Sequence, residues 1–182
     1  MTVTGLLLAA GAGSRMGMPK ALVHDEHGSW LARAMRVLRE GGCPRVVVVL
    51  GAGADEAEPL VAGLSGVSVV RSADWASGMG ASLATGLAAI DGDAVLVHLV
   101  DLPDVTSAVV ARVLAVGPTR GTLARASYDG RPGHPVLLGR DHWPGVAAAA
   151  TGDRGARDYL ARHDTALVEC GDLASGHDVD SR

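Results

Sequence analysis

Phenylalanine is missing from this sequence altogether, and the few tryptophans and tyrosines leave aromatic residues at 3% of its 182 positions. A core without large rings has to be built from Val, Leu, Ala and Ile, which suits a parallel sheet covered by helices. Lysine is almost missing too. Lys20 is the only one, and every other basic residue is an arginine. Cysteine occurs twice, at Cys43 and Cys170, in no C-x-x-C pattern. A disulfide framework is therefore not expected, and a reducing compartment is. The arginines are scattered and the formal net charge is −4, so the concentrated basic face of a nucleic-acid binder is absent. Long hydrophobic runs are absent as well. The apolar start breaks into glycines well before the ~18 residues of a membrane span, and no basic stretch precedes it. The expectation is a soluble cytoplasmic protein that engages neither membrane nor nucleic acid.

What remains alternates between strand and helix signals. "TVTGLLLA" reads as a buried first strand, "RVVVVLGA" and "VSVVRS" as the next two, and "DAVLVHLVD" as a fourth that ends on a carboxylate. Between them lie helical patterns: "SWLARAMRVLREGG" with Ser29 as N-cap, a short or kinked "ADEAEPLVAGL" containing Pro59, and "GMGASLATGLAAI". "TSAVVARVLAVG" follows, capped by Thr106 or Ser107. After Gly117 the character changes. "GTLARASYDGRPGHPVLLG" predicts two strands joined at "YDGRPG". Two short helices are expected next, "DHWPGVAAAA" interrupted by Pro144 and "DRGARDYLARH", then a strand "TALVEC" and a polar tail. The pattern predicts one doubly wound α/β domain over residues 1–182, in which ligands bind beyond the carboxyl ends of the strands.

The first strand runs straight into "LLLAAGAGSRMGMPK", residues 6–20, which ends on the sole lysine. A glycine-rich turn there can cradle phosphate, because backbone amides approach the oxygens closely where Cβ atoms are missing. Neither familiar version of such a turn fits. After Gly11 and Gly13 the dinucleotide fingerprint requires glycine where Met16 stands, and no acid follows at its expected offset. In the G-K-[ST] pattern glycine precedes lysine directly, whereas Met18 and Pro19 separate Gly17 from Lys20. The residue types still suit a polyphosphate: amides from Ala12 to Ser14, a planar fork on Arg15 and a compact charge on Lys20. Asp101, at the end of the fourth strand, faces the same crevice if both strands are central and parallel.

"LAAGAGSRMGMPKAL" resembles the signature of the MobA-like nucleotidyltransferases, and within them the molybdenum cofactor cytidylyltransferases. The resemblance extends to about Asp180 and implies a single-domain, doubly wound, mostly parallel sheet of the Rossmann-like nucleotidyltransferase type. It places an NTP-binding half over residues 1–116 and an acceptor-binding half over 117–182. It implies that Leu8, Ala9, Ala10, Gly11, Ala12, Gly13, Ser14, Arg15 and Lys20 wrap the triphosphate. Gly78 and Ser82, in "SGMGASL", would lie beside the base and sugar, with Gly80 where relatives often carry serine. Asp101 would hold Mg2+ with a second carboxylate from "GHDVDSR", where Asp178 and Asp180 are the candidates and Asp180 is preferred. His134 and Arg157, with Gly152 and Asp153 shaping the region, would meet the acceptor, although His134 also reads as a turn residue and Asp153 as an N-cap.

The implied activity is Mg2+-dependent nucleotidyl transfer with Lys20, Arg15 and Asp101 as catalytic groups. A nucleotidyl unit moves from an NTP to a phosphorylated acceptor, most simply a molybdopterin-type cofactor, with pyrophosphate released. The start "LAAG" rather than "LAGG" resembles the cytidylyl- rather than the guanylyl-transferring members, which implies CTP as the donor. A molybdoenzyme is a candidate partner. Some relatives carry oxidoreductase names, so NAD(P)H-dependent redox chemistry stands as an alternative, as does a non-catalytic carrier of the molybdenum cofactor.

Overall fold

β1 (Val3–Ala9) is buried along its whole length, as its near-continuous apolar run predicts for a central parallel strand. The computed structural model describes residues 1–180. From β1 the glycine-rich loop leads through a small ribbon, β2 (His24–Asp25) and β3 (Gly28–Ser29), which the sequence pattern did not reveal. It runs directly into α1 (Trp30–Glu40). There Ser29 Oγ accepts from the Ala32 amide at 3.2 Å, the expected cap. β4 (Arg45–Leu50), α2 (Ala54–Ala57), β5 (Val67–Arg71), α3 (Met79–Ala88), β6 (Ala94–Leu99) and α4 (Ser107–Leu114) follow in that order. α2 is a single turn, and Pro59 lies in the tighter turn that succeeds it. At α4 the cap position is Thr106, whose hydroxyl makes no capping bond.

The last third is a hairpin, β7 (Leu123–Tyr128) and β8 (Arg131–Gly139), then α5 (Trp143–Ala149), α6 (Arg157–Ala161) and β9 (Ala166–Glu169). The hairpin turns on Asp129 and Gly130, both in the left-handed region at φ 51° and 77°, which is what a two-residue turn between twisted strands requires. Pro144 lies in the first turn of α5 instead of interrupting it, because an amide in the first turn has no helical carbonyl to bond. The expected helix over residues 153–163 is shorter. Gly155, at φ 54°, breaks it into a turn at Gly152–Arg154 and α6.

The sheet order is β5-β4-β1-β6-β8-β7-β9. Every neighbouring pair is parallel except the two that involve β8. Successive residues of β1 feed opposite layers. Leu7 packs with Leu31 and Val110 under α1 and α4, while Leu6 and Leu8 pack with Leu83 and Val146 under α3 and α5. Each such leucine, fully buried, contributes ~2 kcal/mol of transfer free energy. From β1 the chain proceeds toward β4 and β5, then crosses back to β6 on the other side of β1. The crevice outside the carboxyl ends of β1 and β6 is thus the switch point of the sheet, where such folds bind ligands. Among the described residues, no helix is long and apolar enough to cross a membrane.

Candidate active site

The loop after β1 closes on itself through Gly13. The amides of Met16 and Gly17 both donate to the Gly13 carbonyl, at 2.8 and 2.9 Å, and the Lys20 amide donates to Gly11 O at 3.2 Å. Gly13 is obligatory: its φ is 59°, and a Cβ there would stand 2.0 Å from the Met18 carbonyl oxygen. Among the described residues, the amides of Ala12, Gly13 and Ser14 find no acceptor. Three unpaired amides around a tight turn are a nest for an anion.

That nest opens on a cleft of about 570 Å³, within the size range of small-molecule sites. One wall is Leu8, Ala9, Ala10, Gly11, Ala12 and Ser14; the floor is Leu99, Val100 and Asp101; the far wall holds Trp75, Gly78, Met79, Ser82 and Asp153. Gly78, at φ 111°, lets the start of α3 pass against the Gly152 turn, where a Cβ would meet the Gly152 carbonyl carbon at 2.5 Å. Ser82 is buried on the inner side of α3. A second groove of about 550 Å³, beside α1 and lined by Met35, Arg36, Arg39 and Leu64, has neither the carboxyl end of a strand nor a carboxylate cluster.

At the mouth of the cleft the two ends of the chain meet. Lys20 Nζ donates to Asp101 Oδ2 and, at 2.9 Å, to Asp180 Oδ1. The tail is held there by the Val179 amide, which donates to Asp101 O at 3.0 Å, and by Ser175, whose amide and hydroxyl both donate to Asp104 Oδ2 at 2.6 Å. Burial opposes the charge on Lys20, but the hydrogen bonds and charges of Asp101 and Asp180 outweigh it and hold the ammonium above its ordinary pKa. Asp180 is held below the usual carboxylate range by the hydrogen bond and charge of Lys20. Asp178 is pushed up, by burial first and by Asp180 second. Arg15 Nη1 lies 3.7 Å from Asp180 Oδ2 with most of its side chain in solvent.

Asp101, Asp178 and Asp180 each present an oxygen within 4.8 Å of the others. Three carboxylates around one ammonium leave excess negative charge from hard oxygen donors, which fits Mg2+ or a similar divalent cation.

The structure therefore gathers the loop residues, Lys20, Asp101, Asp180, Gly78 and Ser82 around one cleft. Arg15 stands at its rim. His134 and Arg157 do not line it. His134 lies on β8, half-buried, two residues from Val136. Val136 pairs with Val97, and Val97 is in turn two residues from Leu99 of the cleft floor. Arg157 opens α6 and is exposed. Sequence reasoning missed Trp75 and Met79 on the far wall. Trp75 was legible only as one of three tryptophans in an aromatic-poor chain.

The MobA-like NTP transferase domain profile matches residues 5–166. The chain belongs to the MobA-like NTP transferase family. It is 40% identical over 190 residues to nicotine blue oxidoreductase from Paenarthrobacter nicotinovorans, across 98% of this chain and 92% of that one. It is 24% identical over 135 residues to molybdenum cofactor cytidylyltransferase from Escherichia coli, across 74% and 69%. Among solved structures, Rv0371c from Mycobacterium tuberculosis superposes with a TM-score of 0.80 at 29% identity, over 100% of this chain and 94% of that one. Its complex with manganese superposes with a TM-score of 0.75 at 28% identity, over 98% and 94%. Membership of the family makes the chain a nucleotidyltransferase homologue with cytidylyltransferases among its relatives.

Proposed function

We propose that this protein transfers a nucleotidyl group, CMP from CTP in the first instance, to a phosphorylated acceptor of the molybdopterin type, with release of pyrophosphate. The observation that carries the reading is the meeting of Lys20, Asp101 and Asp180 at the mouth of the phosphate nest. Residues 1–116 would form the donor half and 117–182 the acceptor half, in a protein expected to work in the cytoplasm and to pass its product to a molybdoenzyme.

The chemistry required is an oxygen of the acceptor phosphate attacking the α-phosphorus of the NTP. The bond from that phosphorus to the α,β-bridging oxygen breaks, and pyrophosphate leaves with the electron pair. Such a displacement needs positioning and charge stabilisation more than a protein nucleophile. Amides of Ala12, Gly13 and Ser14 receive the triphosphate oxygens. Lys20 and Arg15 stabilise the charge that develops on the departing pyrophosphate. Gly78 and Ser82 lie where the nucleoside would rest, beside the indole of Trp75. Asp101 and Asp180 would hold a divalent cation, which would supply further neutralisation of the phosphates. The manganese complex of Rv0371c supports the expectation that a divalent cation binds.

A second reading has its own support: the relative at 40% identity is named an oxidoreductase. In that reading the nest holds the pyrophosphate of NAD(P)H, and Lys20, Asp101 and Asp180 keep only a structural role. Turnover separates the two. With Mg2+, CTP and molybdopterin cofactor, pyrophosphate should appear in step with the cytidylylated product, and NADPH should not be consumed. NADPH oxidation without pyrophosphate overturns the transferase reading. Cofactor binding with neither would make the protein a carrier.

A further inference from the structure

Among the described residues, six arginines reach a carboxylate within 4.0 Å: Arg15, Arg33, Arg71, Arg112, Arg120 and Arg154. Arg125 reaches none among the described residues, although it is half-buried in an acidic protein. It lies in the middle of β7, paired with Val136. Val136 packs into the core layer under α3 and α5, so the Arg125 side chain emerges on that face of the sheet, the face on which the cleft opens. Its Nε and Nη2 both donate to the Gly133 carbonyl, at 3.1 and 3.0 Å. This fixes the plane of the guanidinium and leaves Nη1 without an acceptor among the described residues. One carbonyl does not neutralise a cation, and a buried charge without a counter-charge is costly.

The groups around Arg125 add to the imbalance. Arg157 has no carboxylate partner among the described residues either, and it stands in the first turn of α6, where the helix dipole disfavours a cation. Burial, and then repulsion by Arg157, hold the Arg125 guanidinium below its ordinary pKa. The third member is His134. Its imidazole is pushed down to about 3, by burial first and then by Arg125 and His98, so the ring is neutral and adds no charge. Two guanidiniums and an imidazole thus share one region of the second half of the chain; of the acids nearby, Asp158 pairs with Arg154 and Asp153 lies on the cleft wall.

We propose that Arg125, together with Arg157, binds an oxyanion of the acceptor substrate, a phosphate or a carboxylate, next to the nucleotide cleft. The proposal rests on the reading of the cleft as a donor-nucleotide site. It adds Arg125 as the residue that selects the acceptor by charge, since a fixed guanidinium fork takes two oxygens of a planar or tetrahedral anion at once. A neutral acceptor would leave both guanidiniums unpaired and is disfavoured.

The test is isothermal titration with sodium phosphate, and separately with acetate, at constant ionic strength. It uses Lys20→Met, which removes the lysine of the loop site, and Lys20→Met combined with Arg125→Gln or Arg157→Gln. One of the two anions is expected to bind Lys20→Met, with affinity falling about ten-fold when Arg125→Gln is added and less for Arg157→Gln, as loss of a charge-assisted hydrogen bond predicts. Tighter phosphate binding assigns a phosphorylated acceptor, and tighter acetate binding a carboxylated one. Equal affinity in all three variants, or no anion binding to Lys20→Met, overturns the proposal. Should Arg125→Gln fail to fold, the exposed Arg157→Gln decides by the same criterion. Arg125→Gln alone should keep wild-type stabilisation by Mg2+–CTP. If no NTP stabilises the wild type, the donor-site reading fails, while the anion titration still decides the role of Arg125.

Discussion

The ammonium of Lys20 donates to the carboxylate of Asp101, 81 positions further along the chain. That bond, with the second one to Asp180, ties the loop after β1, the end of β6 and the tail into one charged cluster. Lys20→Met keeps the apolar stem that packs beside the loop and removes only the charge. It should leave the melting temperature within a few degrees of wild type and lower pyrophosphate release by about 100-fold, the usual effect of deleting one charge-stabilising group. An unchanged rate in a steady-state pyrophosphate assay rules out the role assigned to this residue.

Asp101 is buried at the strand end, and Asp178 and Asp180 complete its oxygen set. Asp101→Asn should abolish Mn2+ binding as followed by the loss of the free-ion EPR signal. Asp180→Asn should weaken it, by about ten-fold or more, as removal of one of few hard ligands does. Mn2+ binding by Asp101→Asn with wild-type affinity would place the ion elsewhere.

Gly78 has no room for a side chain. Its φ of 111° is unfavourable for any other residue, and an added Cβ would lie 2.8 Å from Asp153 Oδ1. Gly78→Ala should destabilise the fold by ~1–3 kcal/mol through backbone strain and push the Gly152 turn off the cleft wall. Denaturant unfolding measures the first effect, and a weaker nucleotide-induced thermal shift the second. A variant as stable as wild type with unaltered nucleotide binding contradicts this packing.

Acid stability should show two successive windows. His98 is fully buried, and burial lowers its pKa from an ordinary 6.5 to about 4. The unfolded chain therefore takes up the proton first, and stability falls as the pH drops from about 6.5 toward 4. Glu169 accepts from the amides of Gly130, Gly171 and Asp129 and from the Ser127 hydroxyl, which lower its pKa from 4.5 to about 2. Its contribution is complete above pH 4.5 and is lost as the pH falls toward 2. Melting curves against pH should flatten in the upper window for His98→Asn and in the lower one for Glu169→Gln. Parallel curves for wild type and either variant contradict the corresponding assignment.

Much of this arrangement was legible in the sequence because it is local. The apolar runs of β1, β4 and β6, the Ser29 cap, and the Asp129–Gly130 turn follow from residues within a few positions of one another. The loop was legible through its glycines and its isolated lysine. What could not be read depends on partners far apart in the chain. No spacing rule places β8 antiparallel between β6 and β7, or sets Arg125 without an acid. The ribbon of β2 and β3 has only two residues per strand, too few for an alternating pattern to register. Asp178 and Asp180 lie two positions apart, and only the tail's path against Asp101 distinguishes the one paired with Lys20. The helix expected over residues 153–163 is shorter than periodicity suggested, because Gly155 overrides the apolar pattern, whereas the shortness of α2 was already legible in Pro59.

The central claim is that the cleft is a metal-dependent triphosphate site. It is tested most directly by thermal shift with CTP, GTP, ATP and NADPH, each in Mg2+ and in EDTA. A ligand that binds only the folded state raises the melting temperature by mass action. The expected result is stabilisation by a nucleoside triphosphate, CTP above the others, that disappears in EDTA. Stabilisation by NADPH alone, equal in Mg2+ and EDTA, would contradict it.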